Sequence, residues 1–287
     1  MIPRQKFDIP LAGGRVLELG RRPLVMGILN VTPDSFSEFQ PTTARSRAVD
    51  TALRMEAEGA DIIDIGGEST RPGAIPVPAE EELERVLPVI DEVARRVTVP
   101  ISIDTYKATV GRAALAAGAV MINDVSGLQF DPALGGVAAD AGAAIVLMHT
   151  RGRPRTMNDE AVYGDVMADV IRELRDRIAV ATAAGIGRER IILDPGVGFA
   201  KRAAHSYGVL ARFGELAEAL GRPVLVGPSR KSFMRMALDD APAAERDWGT
   251  AAAVTAAVLN GAHIVRVHAV AQMVQVVRVA EEIRRNG

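Results

Sequence analysis

The sequence contains no cysteine, which excludes disulfides, thiolate metal sites and cysteine nucleophiles. No uninterrupted apolar run approaches the ~18 residues that a membrane helix needs, and the first ten residues lack the apolar core of a secretory signal. A charge excess of one sign is also missing, because 34 Lys and Arg stand against 36 Asp and Glu, for a formal net charge of -2. We therefore expect a cytoplasmic protein that binds neither nucleic acid nor a membrane surface.

The composition is that of one large globular domain. The chain has 287 residues, of which 48% are hydrophobic and 24% charged, so it can bury a sizeable core. No run of Gly, Ser and Pro is long enough to separate two domains. Residues 1–22, with a Gly13-Gly14 turn signal between two short apolar stretches, predict a β-hairpin that caps one end of the main body, residues 23–287.

Residues 23–287 repeat one pattern eight times, an apolar strand followed by a polar loop and a helical stretch. The predicted strands are 24–31, 60–65, 101–104, 120–124, 144–149, 191–194, 224–227 and 264–268, and the predicted helices are 43–58, 79–96, 107–117, 132–141, 165–184, 206–220, 250–260 and one that ends at 285. This repeat, about thirty residues long, predicts an α/β fold with a single (β/α)8 TIM barrel. A doubly wound open sheet is the alternative, because periodicity does not show closure.

The stretch from Arg190 to Lys201, R-I-I-L-D-P-G-V-G-F-A-K, shows how such a strand ends. Three aliphatic residues run into Asp194, and Pro195 stops the strand because it has no N–H. Gly196 and Gly198 allow the backbone to turn sharply and a flat ligand to come close. The pattern predicts that Asp194 is fixed at a rim where chemistry takes place.

In a barrel of this kind the active site lies at the carboxyl ends of the strands, so the polar residues that end the strands are the candidates. Asp104 and Asp194, with the amide of Asn123, form a set of donors and acceptors that suits a flat polar heterocycle such as a pterin. A second set supplies donors for an anion: Arg71, Lys231, Arg266 and His268. The simplest interpretation is a ligand with a polar ring edge at one end and a phosphate at the other.

Seven motifs occur in order at these strand ends. They are G-I-L-N-V-T-P-D-S-F-S at 27–37, D-I-G-G-E-S-T-R-P-G at 64–73, I-S-I-D-T at 101–105, I-N-D-V-S-G at 122–127, D-P-G-V-G-F at 194–199, S-R-K-S at 229–232 and R-V-H at 266–268. In these motifs the chain resembles the dihydropteroate synthase family. Its members are transferases of folate biosynthesis and sulfonamide targets. They join 6-hydroxymethyl-7,8-dihydropterin diphosphate to p-aminobenzoate with loss of diphosphate, and the resemblance implies this reaction here.

The resemblance implies a role for each matching residue, and Asp104, Lys231 and Arg71 are the implied catalytic residues. The pterin would contact Asp104, Asn123, Met148, Asp194 and Lys231. The diphosphate would contact Asn30, Thr70, Arg71, Arg266 and His268, with Mg²⁺ at the Asn30 end. The p-aminobenzoate would contact Phe36, Thr70, Pro72, Phe199 and Ser232. The resemblance also implies a homodimer through the last two helices, which are rich in Ala and Val.

The implied chemistry is ionisation of the methylene C–O bond, followed by attack of the aniline nitrogen. Cations and a metal on the leaving group stabilise the charge that grows in the transition state. Asp104 would stabilise the developing pterin cation electrostatically. No general base is needed, because an aniline is already a competent nucleophile.

The chain departs from the family pattern in the first loop, at Ala269 and, as a mild change, at Ala200, which replaces a frequent glycine. The first loop reads Glu38-Phe39-Gln40, where the family has an acidic residue and two glycines, so we expect a stiffer loop and a changed route of closure over p-aminobenzoate. Ala269 stands where the family commonly has Asp, which removes a carboxylate near His268.

Several polar residues at the strand ends have a structural interpretation that we prefer. We expect Asp124 to cap a loop, Glu68 to pair with a basic residue, His149 to be a hydrogen-bonded rim histidine and His205 to cap a helix that begins near Ser206.

Three rival functions remain. A phosphosugar barrel enzyme would place glycine-rich phosphate loops after the seventh and eighth strands, whereas here those strands end in basic side chains. A methyltetrahydrofolate-dependent methyltransferase of the same pterin-binding family would keep Asp104, Asn123 and Asp194, but it would not need the basic S-T-R-P and S-R-K segments. A catalytically inactive pterin-binding protein is the non-enzyme alternative.

Overall fold

The computed structural model describes residues 4–32, 41–71 and 73–287. Two antiparallel strands, β1 (Phe7–Pro10) and β2 (Val16–Leu19), form the predicted hairpin. The buried side chains of Ile9, Leu17 and Leu19 pack in one cluster with interior residues of the barrel strands. The hairpin therefore closes one end of the barrel, as expected.

The remaining eight strands are parallel and lie in one sheet. They are β3 (Leu24–Asn30), β4 (Ile62–Gly66), β5 (Ile101–Asp104), β6 (Met121–Asp124), β7 (Ala144–Met148), β8 (Ile191–Asp194), β9 (Leu225–Val226) and β10 (Ile264–Val267). Their order in the sheet is β8-β7-β6-β5-β4-β3-β10-β9. A parallel bridge from Leu193 to Val224, with a hydrogen bond from Leu193 N to Pro223 O of 3.0 Å, joins the two ends. The sheet is a closed barrel and not an open one.

Helices cover the outside of the barrel. They are α1 (Pro41–Ala57), α2 (Ala79–Ala94), α3 (Ala108–Ala116), α4 (Ala133–Asp140), α5 (Val166–Ala183), α6 (Ala203–Ala211), α7 (Gly214–Leu220), α8 (Asp247–Leu259) and α9 (Val270–Asn286). None of the helices in the described ranges combines the length and apolar character that crossing a membrane requires.

The single helix predicted for residues 206–220 is wrong, because the chain breaks between α6 and α7. Gly208 and Gly214 on either side of the break are poor helix formers. The bend places the ring of Phe213 in the core, where 1% of it is exposed, and Arg212 holds the turn through a 2.8 Å bond from Nε to Glu215. Burial of an aromatic ring outweighs continuous helix hydrogen bonding here.

Strand alternation divides the barrel into an apolar outer face and a layered interior. Outward residues such as Ile63, Ile103 and Leu193 pack under the helices. Inward residues near the hairpin, such as Met26 and Met121, are also apolar. Further along the same strands the inward positions become polar: Asp64, Ser102, Asn123 and Arg266. We call these four residues the polar layer.

Candidate functional site

The carboxyl ends of the strands bring the predicted residues to one rim. In the strand register Asn30 lies beside Gly66, Gly66 beside Asp104, and Asp104 beside Asn123. On the next pair of strands Met148 lies beside Asp194. The residues predicted for the pterin therefore share one mouth of the barrel.

Arg266 connects the polar layer to the rim. Its Nε donates to Asp64 Oδ2 at 2.6 Å, and its Nη2 donates to Asp104 Oδ2 at 2.6 Å. Asn123 Nδ2 donates to the same Asp64 oxygen at 2.9 Å. Asp64 was not among the predicted site residues, although a carboxylate in the apolar strand I-I-D-I-G was a usable signal. One guanidinium thus holds two carboxylates in place.

Burial and the neighbouring opposite charge shift the pKa of Asp104, and likewise that of Arg266, in opposite directions. The pKa of Asp104 is raised to about 7, because burial and the nearby Asp64 carboxylate together outweigh the opposing Arg266 guanidinium. Burial lowers the pKa of Arg266, but the two carboxylates outweigh it and leave that pKa raised. Arg266 is therefore the fixed charge of the site.

Two buried oxygens in the polar layer lack a hydrogen-bond partner in the part of the chain that the structure describes. They are Asp64 Oδ1 and Ser102 Oγ, and the two residues lie side by side in the β4–β5 register. Buried polar atoms of this kind are normally satisfied by water or by a ligand. The polar layer therefore has two buried oxygens that can form hydrogen bonds with a water molecule or a polar ligand group.

Asp194 and Lys231 form the other half of the site. Gly196 N donates to Asp194 Oδ1 at 2.7 Å, which leaves Oδ2 for another partner. Lys231 Nζ donates to Val197 O at 2.5 Å and lies 4.3 Å from the ring centroid of Phe199. Burial raises the pKa of Asp194, and the Lys231 ammonium opposes this. Burial lowers the pKa of Lys231 to about 8, and Asp194 opposes it.

Gly196 is required by its backbone and its surroundings. Its φ is +68°, and a Cβ at this position would lie 1.9 Å from His149 O. We expect Gly196→Ala to lower the free energy of unfolding by roughly 2–4 kcal/mol. Gly221, with φ +59° and nothing within 4 Å of a Cβ, is the matched control, for which Ala costs about 1 kcal/mol. Urea denaturation measures both, and equal effects would contradict the close approach to His149.

The loop that carries Thr70 and Arg71 is held at its base. Glu68 pairs with Lys107 and accepts from Tyr106 Oη at 2.9 Å, and Lys107 also pairs with the buried Glu82. The expectation that Glu68 pairs with a basic residue is confirmed. Thr70 is half-buried and Arg71 is exposed, so the loop presents a cation at the rim.

His268 is oriented by Ser229. The Ser229 hydroxyl accepts from His268 N at 3.2 Å and lies 2.9 Å from Nδ1. We assign its proton to the bond with Nδ1, which leaves Nε2–H free to donate. Burial lowers the pKa of His268 to about 3, and the charges of Arg266, Arg230 and Arg71 lower it in the same direction. The imidazole is therefore a neutral donor.

Ala269 precedes α9 without providing a side-chain cap, and Ser229 is a hydrogen-bond partner of His268. Arg230, in the predicted basic S-R-K segment, does not face an anion site. Its Nε and Nη2 each lie 2.7 Å from the carboxylate of Asp247. Within S-R-K, only Lys231 therefore serves as a cation of the site.

The structural interpretations of three other polar residues are confirmed. Asp124 accepts from Ser126 N at 2.8 Å and Leu128 N at 2.6 Å, and so caps its loop. His149 Nε2 lies 3.0 Å from Glu173 Oε2. His205 Nδ1 accepts from Arg202 N at 3.3 Å, although the helix it caps begins at Ala203 and not near Ser206.

Of the residues predicted for p-aminobenzoate, Phe36 and Pro72 lie outside the described residues, as do Glu38, Phe39 and Gln40. Phe199 is half-buried against an apolar cluster that includes Met148, and Ser232 is exposed beside Lys231. Among the described residues no three His, Asp or Glu side chains come together in a metal-binding group.

Comparison with known proteins gives a consistent result. A family model described as pterin binding enzyme matches residues 26–268. The chain is 47% identical to the dihydropteroate synthase of Synechocystis sp. over 280 residues, which covers 97% of this chain and 96% of the relative.

Solved structures agree. The Yersinia pestis dihydropteroate synthase, determined as a sulfonamide drug complex, superposes with a TM-score of 0.89 at 44% identity and covers 96% and 98% of the two chains. The Xanthomonas albilineans enzyme with 4-aminobenzoic acid gives 0.87 at 44% identity, with the same coverage. The same enzyme with 7,8-dihydropteroate gives 0.85 at 42% identity, with 96% and 99% coverage. The chain therefore belongs to the dihydropteroate synthase family of pterin-binding enzymes.

Proposed function

We propose that the barrel mouth condenses 6-hydroxymethyl-7,8-dihydropterin diphosphate with p-aminobenzoate to give 7,8-dihydropteroate and diphosphate. The observation that carries the proposal is the set of acceptors at the rim with one ammonium beside them. Asp104 and Asp194 each have one carboxylate oxygen committed to the protein, and Asn123 has its amide nitrogen committed to Asp64. The other oxygens of the three residues are left for a ligand.

The aminopyrimidinone edge of a pterin fits this set. It presents adjacent N–H donors, which a carboxylate accepts as a pair, and a carbonyl oxygen, which an ammonium can contact. We assign the donors to Asp194 and Asn123 and the carbonyl to Lys231. Asp104 would lie along the ring toward the methylene carbon, and Met148 would form part of the pocket wall.

The diphosphate would lie toward the loops. The donors on that side are Thr70, Arg71 and the Nε2–H of His268. The Nη1 of Arg266 takes part in neither of its two carboxylate hydrogen bonds and is a further donor. Asn30 offers one amide oxygen to Mg²⁺, which commonly takes few protein ligands and completes its shell with water and phosphate oxygens. A bound Mg²⁺ would neutralise charge on the leaving diphosphate. Asn30 fits this role, and a cluster of carboxylates is not required.

The chain's own residues supply the rest of the chemistry. As the methylene C–O bond breaks, Arg71 and His268 donate to the oxygens that gain negative charge. Asp104 stabilises the positive charge that spreads over the pterin. The aniline nitrogen then forms the new C–N bond and loses a proton to solvent. Positioning of the two substrates accounts for much of the rate.

The p-aminobenzoate would lie under the loops that contain Phe36, Thr70, Pro72, Phe199 and Ser232. Sulfonamides, which resemble p-aminobenzoate, would compete for the same place. The first loop should close by a path of its own, since it lacks the glycine pair. Replacing Glu38→Asp, Phe39→Gly and Gln40→Gly together should change KM for p-aminobenzoate, and an unchanged KM would refute this.

Product analysis tests the function. With both substrates and Mg²⁺, we expect 7,8-dihydropteroate by mass spectrometry in an amount equal to the diphosphate released. Methyl transfer from methyltetrahydrofolate without dihydropteroate formation would favour the methyltransferase. Pterin binding without either product would favour the inactive binding protein. Either result would overturn the proposal.

The pH dependence of kcat/KM should show an alkaline limb from Lys231. The ammonium form donates to the pterin. We therefore expect full kcat/KM at pH values below the Lys231 pKa of about 8 and a loss of kcat/KM as the pH rises through that value. In Lys231→Arg the charge persists at all accessible pH values, so the limb should disappear even if the maximum rate falls. If the alkaline limb stayed in place in this variant, a group other than Lys231 would be responsible for it.

A homodimer through α8 and α9 is part of the proposal. Their buried faces contribute Val254, Val258 and Val277 to the core, while Val279 and Ile283 remain 62% and 53% exposed. Sedimentation of the wild type against Val279→Asp tests this, and a monomeric wild type would refute it.

A further inference from the structure

Near Asp194 lies a second buried lysine. Lys201 is 6% exposed and belongs to the same strand end and loop. Its Nζ lies 2.8 Å from His149 Nδ1 and donates to Phe199 O at 3.2 Å. His149 in turn reaches Glu173 of α5. A chain of polar contacts therefore runs from an outer helix to the loop of the active site.

The protons in this chain can be assigned. Glu173 is a carboxylate whose pKa stays well below its usual range, because bonds from His149 and Arg151 outweigh its burial. His149 Nε2–H therefore donates to it, and burial together with Lys201 lowers the pKa of His149 to about 4, so the ring is neutral. Its Nδ1 must then accept from Lys201. The amine has two acceptors and is firmly oriented.

The loop from Pro195 to Ala200 is fixed by three side-chain donors. Lys231 donates to Val197 O, Lys201 to Phe199 O and Tyr163 Oη to Ala200 O, the last at 2.8 Å. These are three of the carbonyl groups that follow Asp194. Tyr163 provides a donor without a charge, whereas the two lysines are titratable donors that also interact electrostatically with Asp194.

We propose that Lys201 is a positioning residue for the reaction. Its ammonium supplies a positive charge near Asp194 and holds the loop that carries Phe199. This inference rests on the proposed function, since it concerns how the same site binds the pterin. Charged and titratable groups face Lys201 from every side: His149, Arg151, Tyr163, Glu173, Asp194, His205 and Lys231. Burial lowers the pKa of Lys201 to about 7, and Asp194 opposes it.

The sign of the effect follows from the charge. A cation beside Asp194 favours its carboxylate, and a cation near Lys231 disfavours a second ammonium. Removing the charge of Lys201 should therefore raise the pKa of Asp194, and the acid limb of pterin binding should move to higher pH, which loss of a purely structural contact would not cause. The alkaline limb should move little, because Lys201, with a pKa of about 7, is already mostly neutral where Lys231 titrates near 8.

The experiment measures binding of 6-hydroxymethyl-7,8-dihydropterin by titration calorimetry across pH. This probe lacks the diphosphate, so phosphate titration does not interfere. In Lys201→Met we expect affinity at neutral pH to fall about tenfold and the acid limb to move up by roughly one pH unit. Lys201→Arg, which stays charged, should keep the acid limb of the wild type. Lys201→Gln, which is also neutral, carries the test if the methionine variant does not fold.

Tyr163→Phe is the matched control, because it removes a donor to the same loop without changing the charge. We expect weaker binding with unmoved limbs. If Lys201→Met or Lys201→Gln behaved like Tyr163→Phe, or like the wild type, the inference would be wrong. If the wild type bound no pterin at any pH, the proposed function itself would fail, which is a distinguishable result.

Discussion

Replacing Arg266 by methionine should lower kcat/KM by about a thousandfold or more. The guanidinium holds both Asp64 and Asp104 at 2.6 Å, and in the proposed function it would be the fixed charge between the pterin and the leaving diphosphate. Loss of a preorganised charge at a reacting centre typically costs 10²–10³ in rate. The remaining loss comes from Asp104, whose pKa would rise further once Arg266 is gone, so that less of it is ionised at neutral pH.

The same change should lower the free energy of unfolding by roughly 3–5 kcal/mol, because two buried carboxylates lose their partner. Arg266→Met combined with Asp64→Asn should recover part of that stability and none of the activity. Arg95→Met removes a solvent-exposed ion pair with Asp91 and should cost less than about 1 kcal/mol. Retained kcat/KM in a destabilised Arg266→Met enzyme would restrict Arg266 to a structural role.

Asp194→Asn should weaken pterin binding by about 10²–10³. The carboxylate of Asp194 accepts from Gly196 N on one oxygen and can accept from a pterin N–H on the other, whereas an amide that keeps the Gly196 bond would direct a donor at the ligand. The substitution should also lower the pKa of Lys231 below about 8, because Asp194 is the charge that raises it. The alkaline limb of kcat/KM should therefore move to lower pH.

Calorimetry and a pH profile measure the two effects. Asp124→Asn is the control, since Asp124 is a carboxylate of comparable burial that caps the loop after β6. It should reduce stability and leave pterin affinity near the wild-type value. Asp194→Asn with unchanged affinity would remove Asp194 from the pterin site.

The barrel was predictable because its strands are covered on both faces. Continuous aliphatic runs such as I-I-L at 191–193 stand out in sequence, and the polar residue that ends each run marks the catalytic rim. The break between α6 and α7 was not predictable, because it depends on burial of Phe213 by neighbours that periodicity does not reveal.

The types of residue at the rim could be predicted from the sequence, but the hydrogen bonds and ion pairs between them could not. Asp104, Asn123 and Asp194 follow from their places at strand ends. That Arg266 pairs with Asp64 and Asp104, 202 and 162 residues away, depends on barrel closure. In the sequence Lys201 follows the D-P-G-V-G-F motif and marks the end of a loop. Only the fold brings its side chain to His149 and close to Asp194.

The most direct test is a crystal structure with 6-hydroxymethyl-7,8-dihydropterin diphosphate bound. We predict that the aminopyrimidinone edge lies in the barrel mouth against Asn123 and Asp194, with Lys231 at the ring carbonyl. The diphosphate should point outward to Arg71 and His268. A reversed ligand, with the diphosphate on Lys231 and the ring among the loops, would contradict the assignment of the site.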